Sequence, residues 1–313
     1  MKESEKSVRV AVVQESSAIM DKSGCIKKVE KLTAEAASEG AKIVLFPEAF
    51  IPTYPRGLYF GTKVGSRSDE GKQDFARYWE NSIPIPGPGI TSLGKIAKKN
   101  SVYLIVGIAE REAGFNGGTL YCSMVYFDPK GHYLGKHRKL KPTGAERLIW
   151  GEGDGSTLTV IDSPFGKIGG LICWENYMPL ARTAMYSKAI DIYLAPTADA
   201  RDAWQATIRH IALEGRCFVL SCNQFVTKDM YPKDLACYDD LKESPNVLSR
   251  GGSAIIDPNG EYLAGPLFDK EGILYADLDL SLIPKSRFDF DVVGHYSRPD
   301  VFQLIINEKK KSK

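Results

Sequence analysis

Three short segments carry residue types that could share one reaction. In GGLICWENYMP, Gly169 to Pro179, an apolar run ends in a thiol, Cys173, followed at once by Trp174 and Glu175. In IVLFPEAF, residues 43–50, a second apolar run ends in a carboxylate, Glu48. In HRKLKPT, residues 137–143, the ammonium of Lys139 stands beside a leucine and a proline. A free thiol with a pKa of about 8.5 is mostly protonated at neutral pH, so a nucleophilic cysteine needs a base or a positive neighbour. A buried carboxylate whose own pKa rises can take that proton. A lysine can then stabilise charge developing on a substrate nitrogen or oxygen. Together the three form an acyl-transfer set that requires neither histidine nor metal. Taken singly, each has a plainer reading: a buried structural thiol, a solvated loop acid and an exposed basic strand end.

The elements around them must bring the three together. Val8 to Val13 reads as a strand, and Ile26, Val29, Leu32 and Ala36 recur at helical spacing, closed by Gly40. Ile43 to Phe46 is a continuous apolar strand of the buried type. A helix near Thr91 to Lys99 and strands at Val102 to Val106 and Tyr121 to Phe127 follow. Asp-Pro-Lys-Gly at 128–131 and Asp-Pro-Asn-Gly at 257–260 are turns into further strands. A strand at Ile168 to Ile172 runs into Cys173, and Pro179 opens a helix, where its missing N–H costs nothing. Beyond it lie a strand at Ile190 to Leu194, a helix near Trp204 to Glu214 and a strand at Cys217 to Cys222. This alternation predicts a mixed sheet, or a pair of sheets, with helices outside. In such folds ligands gather at the carboxyl ends of strands, where Glu48 and Cys173 both fall.

Composition narrows the function classes. The 313 residues carry a formal net charge of +2, which points to neither nucleic acid nor membrane as a partner. MKESEKSVRV has no signal-peptide core and no segment is apolar enough to span a bilayer, so a cytoplasmic protein is expected. Cys25, Cys122, Cys173, Cys217, Cys222 and Cys237 form no CxxC pair, and His132, His137, His210 and His295 form no ligand pattern. Neither a disulfide framework nor a metal site is expected. Residues 1–300 read as one domain, and 301–313 as a short basic tail, solvated or disordered at its end.

The same segments, FPEAF at 46–50, HRKLKPT at 137–143 and ICWENYMP at 172–179, resemble the Glu-Lys-Cys signatures of the nitrilase branch of the nitrilase superfamily. GLYFG at 57–61, LYCSMVYFDPKG at 120–131, ERLIWGEGDGST at 146–157, LAPTADARDAW at 194–204, HIALEGRCFVLS at 210–221 and VGHYSRPD at 293–300 extend the likeness from about Val8 to Asp300, nearest to plant and related bacterial nitrilases. The resemblance implies a four-layer α-β-β-α sandwich, with Glu48 as general base, Lys139 as cationic stabiliser and Cys173 as nucleophile. It implies Glu146 as a second carboxylate that positions lysine or substrate, and the Trp174 N–H as an oxyanion donor. It implies a cofactor-free hydrolase that takes a nitrile and water and assembles as a dimer, with spiral oligomers as an extension. Arylaceto-, arylaliphatic and β-cyanoalanine-type nitriles are the expected substrates. An amidase or N-carbamoyl amide hydrolase with the same triad, and a non-catalytic assembly protein on the same fold, are the rival functions.

Substrate contacts are expected from Tyr54, Trp150 and Tyr177, with core packing as the other reading of Tyr54 and Trp150. Tyr177 stands where related chains often have arginine, Lys141 replaces an apolar residue near the predicted pocket, and Arg216 replaces a glycine. Glu175, at a helix start, is read as complementing the helix dipole.

Overall fold

Side-chain alternation lets one strand feed two cores. In β1 (Ser7–Gln14), Val10 and Val12 join one apolar cluster and Ala11 and Val13 another, as a period of two requires. The structure is a computed structural model and describes residues 6–112 and 117–311. The first five residues of the N-terminal segment and the last two of the basic tail lie outside it.

The first half continues with α1 (Lys22–Ser38), β2 (Ile43–Leu45), a hairpin of β3 (Thr62–Lys63) and β4 (Ser66–Arg67), α2 (Asp69–Asn81), β5 (Ile83–Ile85), α3 (Pro88–Asn100), β6 (Tyr103–Glu112), β7 (Leu120–Phe127) and β8 (Tyr133–Arg138). The Asp21 carboxylate caps α1 by accepting the Gly24 N–H, 3.0 Å away. Gly40, with φ of +87°, ends the turn after it, a conformation glycine adopts without steric cost. The second half contains β9 (Val160–Ser163), β10 (Gly166–Gly170), α4 (Pro179–Tyr186), β11 (Ile192–Pro196), α5 (Asp202–Gly215), β12 (Phe218–Cys222), β13 (Phe225–Thr227), β14 (Val247–Ile256), β15 (Tyr262–Phe268), β16 (Gly272–Asp279) and α6 (Leu282–Asp289).

The strands form two large sheets. One has the order β16-β1-β2-β6-β7-β8 with β5 beside β6; the other has the order β13-β14-β12-β11-β10-β9 with β15 beside β14. β16 comes from the second half yet pairs antiparallel with all of β1, from Ser7 opposite Asp279 to Gln14 opposite Gly272. Val10, Leu45, Ile105 and Met124 of one sheet share a core with Ile168, Leu194, Leu220 and Ile255 of the other. α1 and α3 cover the outer face of the first sheet, and α4 and α5 that of the second. The result is the expected four-layer α-β-β-α sandwich.

One strand end differs from expectation. The strand expected to reach Ile172 ends at Gly170, because its parallel pairing with β11 stops at Leu194 and the chain bends into a 3₁₀ turn at Cys173–Tyr177. α2 lays Phe75, Tyr78 and Trp79 against the shared core, and its buried Asp74 accepts the N–H groups of Ala236 and Cys237 at 3.1 and 2.7 Å. The described part of the basic tail is largely exposed but tied to the domain. Ile306 packs against the outer core, Glu308 pairs with Lys188, and the Lys311 N–H donates to Asp154 at 2.9 Å.

Candidate active site

Strand direction converges the chemical residues on one end of the sandwich. β2 runs parallel to β6, and two antiparallel steps, β6 to β7 and β7 to β8, restore that direction. Glu48 follows β2 and Lys139 follows β8, so both leave the first sheet at the same end. Cys173 leaves β10 in the second sheet, and Thr197 follows β11, which runs parallel to β10.

Glu48 is held by a tight turn. Ala49 has φ of +47°, a region that disfavours any residue with a Cβ. The turn packs directly on Gly107 of β6, where an added Cβ would lie 2.0 Å from the Pro47 oxygen and 2.9 Å from Glu48 Cα. The amide of Gln224 donates to the Glu48 carbonyl at 3.1 Å. The Glu48 side chain is fully buried. Its Oε1 accepts from Lys139 Nζ at 2.7 Å and from the Cys122 thiol at 3.6 Å; Oε2 has no protein partner among the described residues.

Lys139 reaches a second carboxylate. Its Nζ donates to Glu146 Oε2 at 2.7 Å, and its side chain is fully buried. Glu146 sits in the 3₁₀ turn Gly144–Leu148. It is oriented by the Thr143 N–H on Oε2, at 2.7 Å, and by the Tyr54 hydroxyl on Oε1, also at 2.7 Å. An ammonium between two carboxylates satisfies the rule that buried charges are paired.

Cys173 takes φ of +53° at the head of its 3₁₀ turn. The strained elbow is stapled by Asn176, whose amide nitrogen donates to the carbonyls of Leu171 and Cys173 at 3.0 and 2.8 Å, while its oxygen accepts the Tyr193 hydroxyl at 2.8 Å. Such strain persists only where neighbours over-determine it. The N–H groups at the start of the turn have no intrahelical acceptor, which leaves the Trp174 N–H beside the thiol as a candidate oxyanion donor. The Thr197 hydroxyl lies 3.2 Å from Cys173 Sγ.

The electrostatics follow from burial and contact. Burial raises the Glu48 pKa above the ordinary carboxylate value, although Lys139 pulls it down. For Lys139, burial alone would lower the pKa; Glu48, then Cys173 and Glu146, reverse this and hold it charged. The Cys173 thiol is pushed up to about 12 by burial and by Glu48, against the opposing effects of Lys139 and Thr197. The resting site therefore holds a thiol, and the thiolate must be made by proton transfer.

Cys173 opens into a cavity of about 560 Å³, within the range that holds small ligands. Tyr54, Glu146, Trp174 and Arg201 line it with Cys173; Lys139 lies behind Glu146. The Trp174 indole is fixed by its N–H to Asp199 Oδ2, at 2.8 Å, and by the Arg201 guanidinium 4.8 Å above its ring. Trp150 is 3% exposed, packs edge-on to Tyr54 and borders an adjacent cavity of about 250 Å³. It stands behind the Tyr54 wall and not in the cavity that Cys173 faces. Tyr177 was expected near the pocket but is not on its wall: the 3₁₀ turn carries it to the surface, where its hydroxyl is hydrogen-bonded with Thr207 and its ring packs on Trp174 and Trp204. Lys141 also turns away, pairing with exposed Glu152.

The carbon-nitrogen hydrolase family model matches residues 9–288. The chain belongs to the carbon-nitrogen hydrolase family. Bifunctional nitrilase/nitrile hydratase NIT4B of Nicotiana tabacum is 53% identical over 305 residues, covering 96% of this chain and 86% of that protein. An aliphatic nitrilase of Sinorhizobium fredii (strain HH103) is 52% identical over 305 residues, covering 97% of each chain. Among solved structures, a carbon-nitrogen hydrolase from Helicobacter pylori G27 aligns with a TM-score of 0.72 at 22% identity, covering 95% of this chain and 97% of that one. Saccharomyces cerevisiae Nit3, a member of branch 10 of the nitrilase superfamily, aligns with a TM-score of 0.69 at 21% identity, covering 95% and 99%. At that identity the solved structures share the fold.

The sequence of this carbon-nitrogen hydrolase gave no sign of the roles of Thr197, Asn176 and Gly107 at the site, and pointed to a different role for Glu175. Thr197 and Asn176 lie within quoted segments, yet their roles depend on side chains meeting across loops. Gly107 is one glycine in an apolar strand, and only the close approach of Pro47 gives it a role. Glu175, assigned to a helix dipole, instead accepts from His137 Nε2 at 2.9 Å, from the Leu140 N–H at 2.6 Å and from the Ile172 N–H at 2.8 Å. The spacing CWEN placed it correctly in the turn but gave no sign of a partner 38 residues earlier.

Proposed function

We propose that this chain is a nitrilase that hydrolyses an organic nitrile to the carboxylic acid and ammonia through a covalent Cys173 intermediate. The observation that carries it is the buried Glu48–Lys139–Glu146 cluster behind a cavity into which Cys173 opens. Relatives about 52% identical over nearly the whole chain are named nitrilases, which supports nitriles over amides as substrate.

In this reaction Glu48 takes the Cys173 proton and the thiolate attacks the nitrile carbon, giving a thioimidate. Lys139 and the Trp174 N–H stabilise the nitrogen as charge develops there. Glu48 then activates water, the adduct becomes tetrahedral, and ammonia leaves. The remaining thioester is hydrolysed to the acid. Glu48 and Thr197 also border a cavity of about 10 Å³, the scale of a single water. If the tetrahedral carbon expels sulfur instead, an amide is released. The main cavity has room for an arylaliphatic nitrile, and exposed Leu180, Phe302 and Ile305 support association with a second copy, which sedimentation would read.

The test is a panel of phenylacetonitrile, 3-phenylpropionitrile, benzonitrile, β-cyanoalanine and fumaronitrile, with Cys173→Ala as control. Acid and ammonia from any nitrile, lost in the variant, are expected. Turnover of the matching amides alone would replace this function with an amidase, and equal traces from both proteins would remove Cys173 as nucleophile.

A further inference from the structure

Cys173 has a buried hydroxyl neighbour that the backbone holds in place. Thr197 is 1% exposed, and its hydroxyl oxygen lies 3.2 Å from Cys173 Sγ. The same oxygen accepts the backbone N–H of Asp199 at 2.9 Å. An amide N–H only donates, so the Thr197 oxygen is the acceptor there, and its own proton is free to point at the sulfur once the thiolate, which only accepts, has formed. That amide is itself fixed: the Asp199 carboxylate accepts from the Arg201 N–H and guanidinium and from the Trp174 indole. The Thr197 backbone is tied to β12, its N–H donating to the Cys222 carbonyl at 2.8 Å. A hydroxyl so constrained stands against the sulfur before any substrate arrives.

We infer that Thr197 is a catalytic residue whose hydroxyl stabilises negative charge on Cys173 Sγ, both in the attacking thiolate and when the carbon–sulfur bond breaks. In the first role, the thiol proton passes to Glu48 and the sulfur keeps the electron pair that will form the new bond. Thr197 donates to that pair without taking it. The second role rests on the nitrilase function proposed above. After water adds, the tetrahedral carbon carries sulfur, oxygen, nitrogen and the substrate residue. Breaking the carbon–nitrogen bond expels ammonia and leaves the thioester. Breaking the carbon–sulfur bond returns the electron pair to sulfur as the carbonyl forms, and releases the amide. Thr197 lies against the sulfur, so it favours the second path and raises the share of amide.

Other charges also face the sulfur: Glu48 after β2, Lys139 after β8, Glu146 in its 3₁₀ turn and Arg201 at the start of α5. All four are retained when only Thr197 is changed. The experiment follows the rate of iodoacetamide alkylation of Cys173 against pH, with the modified peptide identified by mass spectrometry. It compares wild type, Thr197→Val and Thr197→Ser, and measures the acid-to-amide ratio from a hydrolysed nitrile. Thr197→Val should slow alkylation about tenfold at every pH below the midpoint, the scale of a hydrogen bond to a charged group, and lower the amide share several-fold. Thr197→Ser should restore both. Thr197→Ala replaces the valine variant if that protein does not fold by circular dichroism. An alkylation profile unchanged in a folded valine or alanine variant would overturn the inference. A shifted profile with an unchanged amide share, or a wild type that releases acid alone, would overturn its second half. Absence of nitrile turnover in wild type would count against the nitrilase function, while alkylation still reads the thiolate role.

Discussion

His137 Nε2 lies 2.9 Å from Glu175 Oε2, with both side chains fully buried. His137 Nδ1 lies 2.9 Å from the Thr157 carbonyl, so both ring nitrogens face acceptors and the imidazole is held protonated. Burial lowers its pKa, but Glu175 and the Thr157 carbonyl raise it further, for a net rise. His137 belongs to β8 of one sheet, and Glu175 to the turn after β10 of the other. The same carboxylate accepts the N–H groups of Leu140 and Ile172, which directly follow Lys139 and precede Cys173. One ion pair therefore sets the separation of the lysine and the thiol.

Glu175→Gln should break that strut. Removing one partner of a buried pair costs about 3–5 kcal/mol, readable by urea denaturation. A group whose folded pKa is raised contributes stability that is complete below its unfolded value, about 6.5 for histidine, and disappears as pH climbs through the folded value. The gap between wild type and variant should thus be widest below about pH 6.5 and should shrink above the raised His137 pKa. A gap independent of pH from 5 to 9 would show that no charge pair operates.

What the sequence disclosed, and what it hid, follows from interaction range. Strands such as Val8 to Val13 are local patterns of apolar residues, and the turns at 128–131 and 257–260 are local chemistry: Asp128 and Asp257 each accept backbone N–H groups two and four residues on. Glu48, Lys139 and Cys173 were visible because strand ends collect ligands and their residue types fit one reaction. The groups that orient them act over long sequence distances, as with Tyr54 on Glu146 and Thr197 on Cys173, and no local pattern encodes such meetings. Tyr177 was misplaced for a related reason: proximity in sequence to Cys173 says nothing about the direction a 3₁₀ turn gives the fifth residue.

Glu48 should impose an acid limb on catalysis. The base works only when ionised, and burial has raised its pKa, so kcat/KM should fall with decreasing pH at a midpoint above the ordinary carboxylate value of about 4.3. Glu48→Gln should remove nearly all activity while leaving the Cys173 peptide open to alkylation. A limb at or below the ordinary value would mean that another group takes the proton.

Glu146 and Tyr54 should differ in rank. Glu146→Gln keeps the size of the side chain but removes a negative charge from Lys139, and a loss of about 10²–10³ in kcat is expected, the scale of a lost electrostatic contact at a reacting centre. Tyr54→Phe removes one hydrogen bond to Glu146, worth about 0.5–1.5 kcal/mol, so about a tenfold loss at most. Steady-state kinetics on one nitrile decide it. Equal losses would mean that the Tyr54 hydroxyl acts on substrate directly.

Trp150 and Tyr177 provide a test of the cavity walls. Trp150→Ala should join the space behind Tyr54 to the main cavity and change the ratio of KM values between an aryl and a short aliphatic nitrile. Tyr177→Phe should leave both KM values within about twofold, because its hydroxyl contacts Thr207 on the surface and a lost surface hydrogen bond is a small change. A selective KM change in Tyr177→Phe would place that ring in the substrate path.

Arg216 supplies a stability test outside the site. It caps α5 with φ of +45° and ψ of 53°, a left-handed conformation that costs a residue with a Cβ about 1–2 kcal/mol. Its contacts return little: Nε is buried without a partner among the described residues, and the guanidinium lies 5.8 Å from the Phe290 ring centre. Arg216→Gly relieves the backbone but loosens the unfolded chain, offsetting about 0.4–1 kcal/mol of the gain. The balance predicts a net stabilisation of about 0.5–1 kcal/mol, seen as a melting temperature higher by about 1–3 °C, with kcat/KM unchanged. A lower melting temperature would mean that the Arg216–Phe290 contact outweighs the strain, and that the left-handed cap is tolerated for what the arginine holds.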